Sequence, residues 1–567
     1  MRPERPERRD SDPLPRTADG NNTMSTRHWL AAYGDIPPEI DLSPSASVVS
    51  LTEAAMTQFA DKTAFVSSGQ RFSYAQIDAL SRDFCAYLQS IGVGKGDRVA
   101  VMLPNIVAFP VALLGIIRAG AVQVSINPMY TPRELEHQLN DSGSRYIVIG
   151  EEASQTLGAA MASTSLSHVI VAGRPTPDDA LGSDIPTHAI DRAVSLRSAL
   201  EQGAALERQP VSVSPNDLVF LQYTGGTTGP SKGAALSHRN LVANVAQFKA
   251  FMADAVAPGE EVIVTALPLY HIFALMVNFI TYFSVGAENW LVANPRDGNA
   301  FVSILKAARP SIFVGVNTLY AALTQHPQLP EVDWSRLRLC AGGGAAVIRS
   351  VSERWLAITG SFIREGYGMS ETSPVLSFNP AHINEFNGTT GLPMPSTDIK
   401  LLDDAGREVA IGETGEICAV GPQVMSGYWQ KPEANAAAFT EDGYFRTGDI
   451  GSFDASGFLK IVDRKKDMVL VSGFNVYPNE VEDVATACPG VAECACIGVP
   501  DEKSGEAVEL FVVRTPQSTL TSEQLIAHCR AGLAAYKVPK VVRMVESLPK
   551  STVGKILRRE LRTLSAR

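Results

Sequence analysis

The stretch YTGGTTGPSKG, residues 223–233, decides how the rest of this sequence is interpreted. Its glycines make the backbone permissive, so that N–H groups, hydroxyls and the ammonium of Lys232 can turn toward one anion. A Walker loop is excluded by spacing, because its lysine would be followed by Ser or Thr, whereas Lys232 is followed by Gly233. The apolar run 218–221 just before the stretch is typical of a buried strand. We therefore expect a phosphate-binding loop at the end of a strand.

Length and composition limit the classes of protein to which this chain can belong. The chain has 567 residues, of which 45% are hydrophobic and 19% charged, which is typical of a globular protein of several domains. The seven cysteines include no CxxC pair, so we expect reduced thiols and no metal or redox pair at Cys494 and Cys496. The apolar stretches 108–124 and 272–285 are interrupted by polar residues or proline, so neither predicts a membrane span.

Charge is distributed unevenly. The net charge is −11, yet residues 531–567 hold nine Lys or Arg against two Glu. This basic end could meet a phosphorylated cofactor or an anionic membrane surface, or it could be a solvated face. Residues 1–22 are rich in Arg, Glu, Asp and Pro and have no apolar core, so they cannot be a secretory signal. We predict that residues 1–27 are a disordered extension.

Strand and helix patterns alternate along most of the chain. Ser73 and Gln76 form a capping-box pattern at the start of an amphipathic helix. Strands are predicted at 99–103, 122–126, 146–149 and 361–365. Such alternation favours an α/β fold with parallel, doubly wound sheets and helices on both faces. In residues 388–429 the pattern changes to short strands, at 398–402 and 415–420, with Gly and Pro turns, which predicts a small β subdomain. The last hundred residues again alternate, as in a small α+β domain.

Five stretches, in order, resemble the motifs of the adenylate-forming acyl-CoA synthetase superfamily. They are YTGGTTGPSKGA at 223, LPLYH at 267–271, YGMSET at 367–372, YFRTGD at 444–449 and VGKILRREL at 553–561. Residues 442–468 are also similar to the signature of bacterial long-chain fatty acyl-CoA synthetases. The resemblance implies a large ATP- and acyl-binding domain over residues 28–462, a hinge at 463–467 and a small mobile lid domain over 468–567.

The resemblance also implies the nucleotide site. The ATP-binding residues would be Tyr223, Thr224, Gly225, Gly226, Thr227, Thr228, Gly229, Lys232, Gly343, Gly344, Ala345, Tyr367, Gly368, Met369, Ser370, Asp449 and Arg464. Bare glycine backbone suits a flat purine ring, and a carboxylate at Asp449 can accept hydrogen bonds from both ribose hydroxyls. Thr224 and Glu371 would hold Mg²⁺, which usually takes only one or two protein oxygens on a nucleotide.

Three further roles follow from the resemblance. His271 would flank the acyl carboxylate, and Lys555 would be the adenylation lysine. Asp463 and Lys466 would form the hinge, with Lys466 as the pivot. Ser472, Gly473 and Phe474 would border the coenzyme A arm. The apolar residues that follow His271 could be core or could wall an acyl pocket, and we expect core for most of them.

The sequence thus predicts an ATP-, Mg²⁺- and coenzyme A-dependent ligase that converts a medium- or long-chain fatty acid to acyl-CoA through an acyl-adenylate. The alternatives are a fatty acyl-AMP ligase, a CoA ligase for an aryl or shorter acid, and a nucleotide-binding sensor without catalysis. We expect no nucleic-acid partner. A cytoplasmic enzyme that touches the inner face of the cell membrane transiently, and a homodimer, are compatible with the substrate and the family.

Overall fold

The computed structural model describes residues 27–42, 46–182, 193–224, 231–472, 474–501, 503–551 and 554–565. Residues 1–26 of the predicted extension lie outside this part of the chain. So do Gly225, Gly226, Thr227, Thr228 and Gly229 of the predicted phosphate loop, and Gly473.

The strands are, in chain order, β1 Thr63–Ser67, β2 Gln70–Ser73, β3 Arg98–Met102, β4 Val122–Ser125, β5 Tyr146–Gly150, β6 His168–Ala172, β7 Ala193–Ser195, β8 Leu218–Thr224, β9 Lys232–Ser237, β10 Val262–Thr265, β11 Glu288–Leu291, β12 Ile312–Gly315, β13 Leu339–Gly342, β14 Arg364–Gly368, β15 Val375–Phe378, β16 Leu392–Pro393, β17 Asp398–Leu402, β18 Gly415–Val420, β19 Phe445–Phe453, β20 Leu459–Arg464, β21 Val469–Val471, β22 Phe474–Val476, β23 Val491–Asp501, β24 Gly505–Arg514 and β25 Val541–Met544.

The α-helices are α1 Val48–Gln58, α2 Tyr74–Ser90, α3 Ala108–Arg118, α4 Pro132–Ser142, α5 Ser154–Ala160, α6 Leu196–Ala204, α7 His238–Phe251, α8 Tyr282–Ser284, α9 Gly298–Ala308, α10 Asn317–Leu323, α11 Arg349–Thr359, α12 Pro432–Ala438, α13 Pro478–Thr486, α14 Ser522–Gly532 and α15 Arg558–Ser565. A π-helix spans Ala274–Thr281, and 3-10 turns span His28–Ala32, Glu151–Ala153, Met161–Ser163, Ala253–Ala255, Leu329–Glu331, Ser370–Thr372 and Ala535–Lys537.

Two large, mostly parallel sheets form the body of the large domain, as predicted. One has the strand order β7-β6-β5-β3-β4-β8-β9, and the other β16-β15-β14-β13-β12-β10-β11-β1-β2. Antiparallel pairs occur only toward the edges among these strands, at β8 with β9, at β1 with β2 and along β14-β15-β16. Helix α3 and the π-helix are buried along their whole length in the apolar core.

The predicted β subdomain is confirmed and is larger than expected. Strands β17 and β18 have the predicted bounds, and the antiparallel sheet continues through β19 and β20 to Arg464. The first two residues of the predicted hinge therefore lie at the end of a strand of the large domain. Pairing with β19 extends β20 to Arg464, past the start of the predicted hinge at 463–467.

One strand was missed, and the bounds of another were wrong. The sequence analysis did not predict β9, which pairs antiparallel with β8, so that Thr224 lies opposite Lys232. The strand predicted at 361–365 is β14, which begins at Arg364 and contains Tyr367 and Gly368. In both places backbone pairing with a neighbouring strand decides the ends, and this pairing leaves no local signal in short stretches rich in glycine and alanine.

The C-terminal domain is a mixed sheet with helices. Its antiparallel strands follow the order β22-β21-β24-β23, and β25 adds in parallel to β24. All seven cysteines are buried and unpaired, and Cys494 and Cys496 lie in the core of this domain. No helix within the described ranges is long and apolar enough to cross a membrane.

Candidate active site

The carboxyl ends of neighbouring strands bring most of the predicted residues together. Strands β10, β12, β13 and β14 are parallel neighbours, so the chain segments that leave them meet at one edge of the sheet. These segments carry His271 after β10, Gly343 and Gly344 after β13, and Glu371 after β14. Strand β8 of the other large sheet ends at Thr224.

Glu371 is held by a tyrosine that the sequence analysis did not identify. The Tyr428 hydroxyl donates a hydrogen bond to Glu371 Oε1 at 2.8 Å, and the Lys232 ammonium lies over the Tyr428 ring at 4.5 Å from its centroid. The backbone carbonyl of Glu371 accepts a 2.8 Å bond from the Met425 N–H. Lys232, Tyr428 and Glu371 therefore form one chain of contacts from the start of β9.

Burial raises the pKa of Glu371, which is only 5% exposed, and the Tyr428 hydroxyl acts in the opposite direction. A buried carboxylate beside the Thr224 end of β8 supplies the hard oxygen donors that Mg²⁺ takes, so the residues present fit this ion. Among the described residues, no group of three or more His, Cys, Asp or Glu could hold a metal ion.

Tyr367, Asp449 and Arg464 form the second cluster. The Tyr367 hydroxyl donates a 2.6 Å hydrogen bond to Asp449 Oδ2, and Arg464 Nε lies 3.6 Å from Asp449 Oδ1. Asp449 and Arg464 face each other across β19 and β20. The small sheet therefore places a carboxylate and a guanidinium next to the aromatic ring predicted to stack on adenine.

Lys555 enters the site from the C-terminal domain. Gly344 has a φ of 76°, and a Cβ at this position would lie 3.5 Å from Lys555 Cε. Gly554 packs on the segment after β12 so closely that a Cβ there would lie 2.5 Å from Thr318 Oγ1. The glycine before the lysine thus allows the tip of the C-terminal domain to dock on the large domain, with the lysine over the predicted adenine loop.

The charges of the site act on Lys555 from several sides. Burial, followed by the Arg464 guanidinium, lowers the pKa of Lys555 to about 8, whereas Asp449 and Glu371 oppose this shift. Residues that lie far apart in the sequence are therefore close enough to Lys555 to share one electrostatic environment. The lysine remains largely a cation at neutral pH.

His271 is a neutral imidazole. Burial, followed by the Lys555 ammonium, lowers the pKa of His271 to about 3. Its Nδ1 accepts a hydrogen bond from the Phe273 N–H at 3.3 Å, which leaves Nε2 as the protonated nitrogen and a donor. Ile272, Leu275, Met276 and Val277 are fully buried, as expected for core, whereas Phe273 is half-buried and would contact a Cβ on Gly343.

Ser472 and Phe474 lie apart from these clusters. The Ser472 N–H donates a hydrogen bond to the Ser504 carbonyl at 2.7 Å. The ring of Phe474, which is 57% exposed, stacks on the ring of Tyr536 with their centroids 4.9 Å apart. These contacts are internal to the C-terminal domain. Gly368 packs closely against the backbone of Pro374, because a Cβ at this position would lie 1.9 Å from the Pro374 carbonyl oxygen.

Further residues of the site were missed by the sequence analysis. Asp141 on α4 accepts a hydrogen bond from the Tyr223 hydroxyl at 2.8 Å and forms an ion pair with Lys431. It therefore links the start of the phosphate loop to the segment between β18 and β19. Tyr428 and Lys431 lie between β18 and β19 in the stretch GYWQK, which offered an aromatic and basic signal but no indication of their partners.

Family models match most of the chain. Residues 52–429 match the model described as AMP-binding enzyme, and residues 480–555 match the AMP-binding enzyme C-terminal domain. A protein of Salmonella typhimurium (strain LT2) named long-chain-fatty-acid–CoA ligase is 49% identical over 548 residues, which covers 94% of this chain and 97% of that protein.

Solved structures share the fold. ATP-bound MatB from Rhodopseudomonas palustris is 31% identical and has a TM-score of 0.81, and the comparison covers 91% of this chain and 98% of that one. The structure of apo MatB, compared over the same fractions of the two chains, has a TM-score of 0.71. The anthranilate CoA ligase AuaEII with anthranoyl-AMP is 25% identical, with a TM-score of 0.83 over 93% of this chain and 100% of that one. Because the two family models match residues 52–429 and 480–555 in order, this chain belongs to the AMP-binding enzyme family.

Proposed function

We propose that this protein activates a medium- or long-chain fatty acid to acyl-CoA, with ATP as the energy source and an acyl-adenylate as the intermediate. The observation that supports it best is the position of Lys555, whose side chain lies over Gly344 among Asp449, Arg464 and Glu371. A lysine cation at this point lies over the predicted adenine loop and close to the predicted Mg²⁺ ligand Glu371. The long-chain name of the 49% identical relative supports the substrate class.

In the first step a carboxylate oxygen of the acid attacks the α-phosphorus of ATP. The new bond is O–P, the α–β phosphoanhydride bond breaks, and its electron pair leaves on pyrophosphate. Lys555 would bridge the carboxylate and α-phosphate oxygens, and Lys232 would neutralise charge on the leaving phosphates. Mg²⁺ held by Thr224 and Glu371 would neutralise further phosphate charge. The Nε2–H of His271 can donate to the acyl carboxylate.

In the second step the coenzyme A thiolate attacks the adenylate carbonyl. A C–S bond forms, the C–O bond to phosphate breaks, and AMP leaves. Lys555 would then occupy space beside the carbonyl that the thiol must approach. We therefore infer that the C-terminal domain rotates about the hinge between the two steps, which would bring Ser472, Gly473 and Phe474 toward the coenzyme A arm.

The aryl and shorter-chain alternatives remain the second candidate, because an anthranilate CoA ligase shares this fold at 25% identity. A fatty acid also partitions into bilayers, so we propose a transient contact between the enzyme and the membrane surface. A homodimer is likewise compatible with the fold.

The acid preference is tested by measuring pyrophosphate release and thioester formation across acids from acetate to oleate and benzoate, with and without coenzyme A. We expect sustained release with long-chain acids only when coenzyme A is present, together with acyl-CoA. A single turnover that yields no thioester would instead indicate an acyl-AMP ligase. Turnover with benzoate but not with oleate would contradict the fatty acid assignment.

Lys555→Ala should lower the rate of adenylate formation by about 10²-fold or more, the scale expected when a positioned charge is removed from a transition state. Thioester formation from supplied acyl-adenylate should stay near the wild-type rate. The matched control is Lys540→Ala, which removes a lysine of the same domain that pairs with Asp501 at 2.9 Å. An equal loss in both half-reactions of Lys555→Ala would contradict the role given to this lysine.

Tyr428→Phe should lower kcat/KM for ATP about tenfold, because a hydrogen bond to a charged group contributes roughly 1.5–3 kcal/mol and Glu371 would lose this one. Steady-state kinetics at varied ATP would measure the loss. Tyr33→Phe is the matched control, since it removes a buried hydroxyl that donates a 2.6 Å bond to Pro393 O, remote from the site. Equal kinetic losses in the two variants would argue against a role for Tyr428 at Glu371.

A further inference from the structure

The last strand of the large domain carries a buried carboxylate that is bound by the C-terminal domain. Asp463 lies in β20, opposite Ile450 of β19, and is 1% exposed. Its Oδ2 accepts the N–H of Asn479, on α13, at 2.8 Å, and its Oδ1 accepts the N–H of Arg464 at 2.7 Å. Arg558 Nη1 lies 3.8 Å from Asp463 Oδ1.

A second bond crosses the same boundary. The Asn479 side-chain Nδ2 donates to the carbonyl of Val462 at 3.0 Å. Asn479 therefore binds two adjacent residues of β20, one through its backbone and one through its side chain. Both acceptors precede Lys466, the predicted pivot, and both donors follow it.

Arg558 has other partners, all beyond the pivot. Its Nη2 donates to Glu482 Oε1 at 2.7 Å and to Asn479 Oδ1 at 3.0 Å, and its Nη1 lies 3.8 Å from Asp467 Oδ2. Arg562 binds Asp467 at 2.9 Å. A rotation about Lys466 would preserve these contacts, because every partner would move together.

We propose that Asp463 is a latch: its bonds to Asn479 and Arg558 hold the C-terminal domain in the arrangement that places Lys555 in the nucleotide site, and they break when the domain rotates for thioester formation. This rests on the proposed function, which requires two domain arrangements. Asp463 acts on Lys555 through domain position and is a positioning residue.

Two features make such a latch reversible. Release returns the buried Asp463 carboxylate to water, which removes its desolvation cost and offsets part of the lost bonding. After release, Arg558 keeps its ion pairs with Glu482 and Asp467, so its guanidinium is not left without a carboxylate partner. The two arrangements can then lie close in free energy, as a cycle that visits both requires. Burial already raises the pKa of Asp463 to about 6 despite Arg558 beside it.

Arg558, one of the partners of Asp463, lies on the same short segment as Lys555. Arg558 is the first residue of α15, three positions after Lys555. A contact between Arg558 and Asp463 therefore fixes the base of the loop that carries Lys555. The present arrangement also superposes on ATP-bound MatB with a higher TM-score than on apo MatB.

Asp463→Asn tests the latch, because an amide keeps the shape but loses the charge and turns one acceptor into a donor that faces an N–H group. Two rates are compared: pyrophosphate release in a single turnover without coenzyme A, and thioester formation from synthetic acyl-adenylate. We expect the ratio of the first rate to the second to fall about tenfold, the equivalent of roughly 1.4 kcal/mol in the domain equilibrium.

Arg562→Gln is the matched control, since it removes a charge bound to the hinge entirely beyond the pivot, and it should leave the ratio unchanged. Asn479→Ala removes the bond to Val462 while Asp463 stays intact, and it should lower the ratio in the same direction even if Asp463→Asn fails to fold. An unchanged ratio in a folded Asp463→Asn or in Asn479→Ala would overturn the latch. A wild-type protein without one of the two half-reactions would instead contradict the proposed function.

Discussion

Lys555 reaches the predicted nucleotide site from another domain, where its side chain is half-buried and burial lowers the pKa of its ammonium group. The Lys555 side chain passes over Gly344. The backbone at Gly554 packs so closely against Thr318 that a side chain at position 554 would not fit. A buried cation needs compensating charge, and Asp449 and Glu371 supply it from two different sheets. The position of one lysine therefore depends at once on the nine-stranded sheet of the large domain, the β subdomain and the docking of the C-terminal domain.

The same constraint explains the state of the neighbouring groups. Burial, assisted by the neighbouring Lys555 ammonium, lowers the pKa of His271, so the ring offers an N–H rather than a second charge. Tyr428 and Tyr367 each place a hydroxyl on a buried carboxylate, Glu371 and Asp449, which fixes both acceptors before any ligand arrives. Such preorganisation reduces the reorganisation needed when phosphate charge develops.

The sequence could predict the fold class and the motif residues, because local signals carried them. Alternating strands and helices, the capping box at Ser73 and the Gly-bounded strands β17 and β18 all depend on near neighbours in the chain. The residues that were missed act through distant partners. Tyr428 binds Glu371 from 57 positions away, and Arg558 binds Glu482 from 76 positions away. Nothing local distinguishes such an arginine from a solvated surface charge, and β9 was missed because its partner strand defines it.

Transfer of oxygen from the acid to AMP tests the central claim, activation through an acyl-adenylate, most directly. The wild-type enzyme would be given oleate labelled with ¹⁸O in both carboxylate oxygens, together with ATP, Mg²⁺ and coenzyme A, and the products would be analysed by mass spectrometry. The account predicts one ¹⁸O in the phosphate of AMP, one retained in the thioester carbonyl, and none in pyrophosphate. Unlabelled AMP, or label in orthophosphate accompanied by ADP, would contradict it.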